Sequence, residues 1–169
     1  VRIRLKAARA SVADALKRVE TWEVKGKPHK VLSKGVALTD ARAVSARTEA
    51  LKDRTPEAFH EYRKRVKYHW FQLRLLKRIW PKVIAARIGE ARQLADELGD
   101  HHDFAIFRME VLPGFEEADE RLCEALGGLI EAEEARLGPA CLKHGRRLFA
   151  EDAESFGERV AAYWDAWQA

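Results

Sequence analysis

The chain has 169 residues, 47% of them hydrophobic and 34% charged, which suits one domain with a real core and excludes a disordered chain. Its net charge of +4 is modest, and it has no apolar run of membrane-spanning length. With no signal-peptide pattern in view, a cytoplasmic protein without a membrane is the expectation.

Residues 2–24 place Ile3, Leu5, Ala8, Val12, Ala15, Leu16, Val19 and Trp22 at helical spacing. Lys25-Gly26-Lys27-Pro28 ends that helix, and residues 29–34 read as a short basic connector. A second helix is predicted from about Val36 to Leu51. Thr55 suits an N-cap and Pro56 a first helical turn, so a third helix is predicted over 56–80. Pro81 opens a fourth, over 82–98, and Leu98-Gly99 closes it. Asp100-His101-His102-Asp103 then reads as a connector, with Asp103 capping a short helix through Leu112. Pro113-Gly114 breaks the chain again, and Gly138-Pro139 divides two helices at roughly 115–136 and 140–150. A last helix is predicted over about 152–167. No segment reads as a strand. Helices joined by short loops imply an all-α, antiparallel helical bundle.

Charge is unevenly spread. Residues 1–34 carry ten Lys/Arg against three acids, and residues 110–136 carry nine Asp/Glu against two Arg. A positive side and a negative side point to a located polyanion site rather than general stickiness. The stretch 56–80 concentrates the pattern and is expected to be the longest helix or nearly so. Phe59, Tyr62, Val66, Trp70, Leu73, Leu76 and Trp80 fall on one side of it, as a core stripe. His60, Arg63, Lys64, Lys67, Arg74 and Arg78 fall on the other. Eight Lys/Arg from 63 to 82 face a single acid, Glu61. Like charges at these offsets repel, and an anionic ligand would relieve them. The plainer alternative is a solvated basic face, with His60 merely hydrogen-bonded near a helix start. Cys123 and Cys141 fit no zinc or redox spacing and read as small buried hydrophobes.

The stretch FHEYRKRVKYHW (59–70), followed by LADELGDHHDFAIF (94–107), resembles the conserved-histidine α-helical domain, the CHAD family. The likeness continues at 145–167 and more loosely at 35–47. It implies a domain of two four-helix bundles with a basic surface or pore that binds inorganic polyphosphate. Members occur alone, fused to triphosphate-tunnel domains, or on polyphosphate and polyhydroxyalkanoate granules. His60, Arg63, Lys64 and Lys67 match the basic motif, and Leu98, Gly99, His102 and Asp103 match the second. One copy of the basic helix is present, so the chain reads as a C-terminal fragment: one four-helix-bundle half plus flanking helices. A complete pore then calls for the other half or a second copy, as a homodimer. Asp40 stands near the place where relatives carry Tyr, which weakens phosphate contact from 35–47, although Arg42 and Arg47 remain.

Polyphosphate repeats one negative charge per unit, so binding needs donors at helical spacing and no sequence code. Arg63 offers a bidentate fork, Lys64 and Lys67 mobile charges, and His60 a hydrogen bond. The candidate binding set is His60, Arg63, Lys64, Lys67, Arg74, Arg78 and His102, with Asp103 in support as a cap or ion pair. No catalytic residue, metal or cofactor is expected. Nucleic-acid binding is the rival, disfavoured because the basic face carries one aromatic, Phe71, and no helix-turn-helix or zinc spacing. A third reading makes His102-Asp103, with Asp100, His101 and His60, a metal-dependent phosphohydrolase site. It is disfavoured because the surrounding Arg and Lys repel a cation. Lys143, Arg146 and Arg147 form a second basic cluster, which either extends an anion path or offsets the acidic 116–134 segment. Trp164 and Trp167 read as core or interface anchors.

Overall fold

A computed structural model describes residues 2–23, 25–116 and 119–169, leaving aside the side chains of residues 2–4 and 116. Among the described residues there are only helices, and the chain is an all-α bundle. In chain order these are α1 (Arg2–Glu20), α2 (Pro28–Asp53), α3 (Pro56–Leu76), α4 (Pro81–Ile106), α5 (Pro113–Glu116), α6 (Glu120–Leu148) and α7 (Ala153–Gln168). A π-helical stretch, Phe107–Val111, continues α4. The predicted ends at Val24 and across Glu117 and Ala118 lie outside the described residues, as does the side chain of Ile3.

Local chemistry sets the helix starts. Pro28, Pro56 and Pro81 each open a helix, where the missing N–H costs nothing. The Thr55 hydroxyl accepts from the Ala58 N–H at 3.2 Å, and Asp152 accepts from the N–H groups of Glu154 and Ser155 at 3.0 Å. Between α2 and α3, Arg54 turns the chain in a left-handed conformation, φ 53°.

The core is built by α2, α3, α4, the second half of α6, and α7. Val36, Ala43, Tyr62, Val66, Leu73, Leu94, Leu98, Cys141, Phe156 and Val160 are buried together. Two glycines let backbones approach. A Cβ at Gly157 would lie 2.5 Å from the Ser33 carbonyl oxygen, where α7 crosses α2. A Cβ at Gly145 would lie 1.7 Å from the Tyr62 hydroxyl, which α3 sends under α6.

Four boundaries depart from the sequence expectation. The connector at 29–34 is the first turn and a half of α2, held where His29 meets Asp165 of α7 at 3.4 Å. Gly99 does not end α4, because the buried stripe of Leu94, Leu98, His101 and Ala105 runs through it without losing phase. Pro139 sits inside α6 rather than between two helices. Its cost of about 3 kcal/mol is offset by a stripe that continues across it through Leu137, Cys141, Leu142 and Leu148. The fourth concerns α3, which ends at Leu76 and is shorter than α2, α4 and α6. Trp80 therefore leaves the core stripe: it is exposed, its ring set edge-on to Tyr163 at 4.8 Å. His69 and Ile79 are buried instead. At the far terminus Trp164 packs against the core, while Trp167 is exposed.

Candidate functional site on the basic side of α3

Thr55 and Pro56 fix where α3 begins, and the core fixes its rotation. With Phe59, Tyr62, Val66 and Leu73 buried, His60, Arg63, Lys64 and Lys67 must emerge on the opposite side. They line one cavity of about 210 Å³ together with Tyr68 and Phe71. Helix α4 brings His102 across to them: the His60 and His102 rings stand 4.7 Å apart. Arg63 is half-buried, with its guanidinium over Gly99; a Cβ there would be 3.5 Å from Nε and Nη2. At that distance a Cβ would make only ordinary van der Waals contact, so the packing of Arg63 does not demand a glycine, and Gly99 ends no helix. The Arg63 Nε is buried and has no hydrogen-bond partner among the described residues.

Charge pairing on this side is sparse. Lys64 and Arg65 share Glu61, whose carboxyl is lowered chiefly by its hydrogen bond with Lys64. Arg63, Lys67, Arg74 and Arg78 form no ion pair among the described residues. Arg74 and Arg78 are exposed beyond the cavity, Arg74 over the Trp70 ring at 5.3 Å, and Arg78 lies past the end of α3. His102 is held below the ordinary histidine range, first by burial and then by the positive neighbours His60 and Arg63.

The structure thus brings five of the seven sequence-derived candidates together, and leaves Arg74 further along α3 and Arg78 in the turn beyond it. Asp103 does not cap a helix, since it lies inside α4, and it forms no ion pair within 4 Å among the described residues. Its carboxylate acts only at a distance, drawing the His102 ring upward slightly against the other causes. The two histidines of the doublet point apart. His101 is buried, stacked on Phe59 with ring centroids 4.2 Å apart, while His102 meets His60. Among the described residues, no three or more His, Cys, Asp or Glu side chains come together as metal ligands. Tyr68 is the residue that sequence reasoning missed. It stands half-exposed one turn before Phe71, so the cavity has two aromatic rings rather than one. The i,i+3 spacing from Phe71 was the signal for it.

A second charged cluster lies inside the bundle. Asp40, fully buried on α2, accepts from Arg87 Nη2 at 2.9 Å. Arg87 Nε donates to His69 Nε2 at 3.3 Å, and His69 Nδ1 lies 3.6 Å from the same Asp40 oxygen. Arg87 also lies over the Phe156 ring at 3.8 Å and faces Glu151, which binds Arg159. Burial pushes Asp40 up to about 6, against the pull of Arg87, and pushes His69 down to about 3. Asp40 therefore faces inward, away from any ligand. Arg47 lies against Tyr62 and Gly145, and Arg42 is exposed. On α6, Lys143 and Arg147 border a cavity with Glu90 and Glu97, whose carboxylates bind the two ring nitrogens of His144 at 3.1 and 2.9 Å. Both cysteines are buried and form no disulfide, and burial pushes the Cys141 thiol up to about 12.

Among the described residues no helix is long and apolar enough to cross a membrane. Neither a curated protein nor a solved structure matches the chain. A family model does: the CHAD domain matches residues 1–111, which takes in α1 to α4 and hence every candidate binding residue. The chain belongs to the CHAD domain family.

Proposed function

We propose that this domain binds inorganic polyphosphate along the basic side of α3 without chemically altering it. The observation that carries the reading is the cavity lined by His60, Arg63, Lys64 and Lys67, with His102 across from it, on a helix side where most cations lack an anion. Arg74 and Arg78 extend the same side. From His60 to Arg74 this makes a rail about 21 Å long at 1.5 Å rise per residue. Phosphates along it meet positive charge at Arg63, Lys64 and Lys67 and again at Arg74, and release of condensed counterions supplies much of the affinity. Such binding suits targeting to polyphosphate or polyhydroxyalkanoate granules, or regulation by polyphosphate, in the cytoplasm.

One observation favours a second reading. Tyr68 and Phe71 are both exposed on the same cavity, and paired aromatic rings beside cations also suit a single-stranded nucleic acid. Competition at fixed ionic strength separates the two. Long-chain polyphosphate should displace both duplex DNA and single-stranded DNA of equal charge, and raised salt should weaken all three. Consistent preference for the oligonucleotide would transfer the site to nucleic acid. Release of phosphate that depends on a divalent metal would make the domain a hydrolase instead.

A further inference from the structure

Among the described residues, helix α1 has no extensive contact with the other helices. Every described side chain from Leu5 to Glu23 is exposed, Ala15 excepted. Leu5, Val12, Leu16 and Val19 follow at offsets of seven, four and three, so they share one side of the helix. Their exposures run from 49% to 60%. A lone helix of this length is marginal in water, because most helical stability in proteins comes from packing an amphipathic face. A stripe of this size on a soluble domain marks an interface.

A groove of complementary character lies elsewhere on the chain. A cavity of about 690 Å³ opens between the end of α4 and the first half of α6, walled by Phe104, Phe107, Leu126, Leu129, Ile130 and Leu137. Leu129 is 66% exposed there. Asp100, Asp103 and Glu133 also line it, and its one cation, Arg136, is already bound to Glu133 at 2.6 Å. By contrast, α1 carries six Lys/Arg against two acids. The stripe from Leu5 to Val19 is about 21 Å long and the groove from Leu126 to Leu137 about 17 Å, at 1.5 Å per residue. Sign and length therefore agree.

The topology favours a second molecule as the occupant. Helix α1 leaves the bundle where α2 begins, at the end marked by His29 and Asp165. The groove lies at the other end, next to the His60–His102 pair where α3 begins. Helix α2, 26 residues long, spans about 39 Å between those two ends. Two chains laid side by side in opposite directions bring each α1 to the other's groove and close on themselves. We propose that the domain forms a two-fold dimer in which α1 of each copy seats its Leu5–Val19 stripe in the acidic-rimmed α4–α6 groove of the other. This holds whatever anion the α3 site takes.

Sedimentation of the full chain across the micromolar range tests it, with Leu16→Asp on α1 and Leu129→Asp in the groove. Both positions are exposed, and circular dichroism checks that each variant stays folded. Wild type should be dimeric, and each variant alone should associate about 30-fold more weakly or worse, as for a central interface residue. A monomeric wild type overturns the proposal, as does a dimer that neither variant weakens. Slow amide exchange of α1 in the monomer would equally overturn it, by placing the helix on its own chain, and capture of a different protein by α1 of a monomeric wild type would reassign the surface.

Discussion

Around Asp40, each cation faces a carboxylate: Arg87 meets Asp40 at 2.9 Å and Glu151 at 3.7 Å, and Arg159 meets Glu151 at 2.9 Å. Along the basic side of α3 and the turn after it, Arg63, Lys67, Arg74 and Arg78 meet none among the described residues, and two further cations share Glu61. The two clusters are built from the same residue types on neighbouring helices. What differs is water. A charge taken into the bundle must be paired or hydrogen-bonded, or its desolvation is not offset. A charge left at the surface can stay unpaired at the modest cost of repulsion by its neighbours. Pairing thus separates charges that serve the fold from charges left free for a ligand.

Breaking the inner cluster should give the largest effect. Arg87→Ala leaves Asp40 buried with its main partner gone, so stability should fall by about 3–5 kcal/mol in urea unfolding. Polyphosphate affinity should be unchanged where the variant is still folded. A loss of affinity in folded protein would show that the two clusters are coupled.

Acidity sharpens the same contrast. Burial raises Asp40 to about 6 from 3.8, so its contribution to stability is full below the unfolded value and is lost as pH rises through 6. His69 runs the other way: lowered to about 3, it contributes fully above 6.5 and loses that contribution as pH falls. Comparing wild type with Asp40→Asn isolates the first, because His69 titrates in both. Relative to the variant, wild type should lose roughly 3 kcal/mol of stability between about pH 4 and about pH 7. A difference that does not move with pH would remove Asp40 from the account.

The outer cluster should respond in affinity and hardly at all in stability. Arg63→Ala with Lys67→Ala should weaken polyphosphate binding at least about tenfold at low salt. The log–log salt slope should flatten by about 1.4, at roughly 0.7 for each phosphate no longer neutralised. Stability should change by less than about 1 kcal/mol, as at most surface positions. Lys25→Ala with Lys27→Ala removes equal charge elsewhere and should do much less. Equal losses from both pairs would show that net charge governs binding.

The smallest effect should come from His102→Ala. Burial, His60 and Arg63 hold this ring below the usual histidine range, so it gains its proton only as pH falls below 6.5. Wild-type affinity should rise over that range by a few-fold, as for one added phosphate interaction. The variant should lack the part of the rise owed to His102. An identical pH profile in the two proteins would take His102 out of the site.

The two clusters were not equally legible in the sequence. The outer one was, because it lies within one helix whose phase the apolar residues Phe59, Tyr62, Val66 and Leu73 announce. His102 came only with the family likeness, and periodicity gave no reason to set it against His60. The inner cluster was not legible, since Asp40, His69, Arg87 and Glu151 come from α2, α3, α4 and the turn before α7. No local pattern distinguishes a His69 that will be buried from a solvated one. Tyr68 was legible as well, since it stands three residues before Phe71 on the same helix.

The sequence by itself determined the helical class, the proline-led starts of α2, α3 and α4, the Thr55 cap and the one-signed side of α3. These depend on interactions within a few residues, which spacing and residue type display directly. Only the tertiary structure decided that α4 runs through Gly99 and α6 through Pro139. A local breaker costs about 1 kcal/mol for Gly and 3 for Pro, and only packing against distant helices can outweigh it. The same holds for α1, whose periodicity matches a packed helix: whether a stripe is covered depends on which surfaces the folded chain brings beside it, and spacing along the chain carries no record of that.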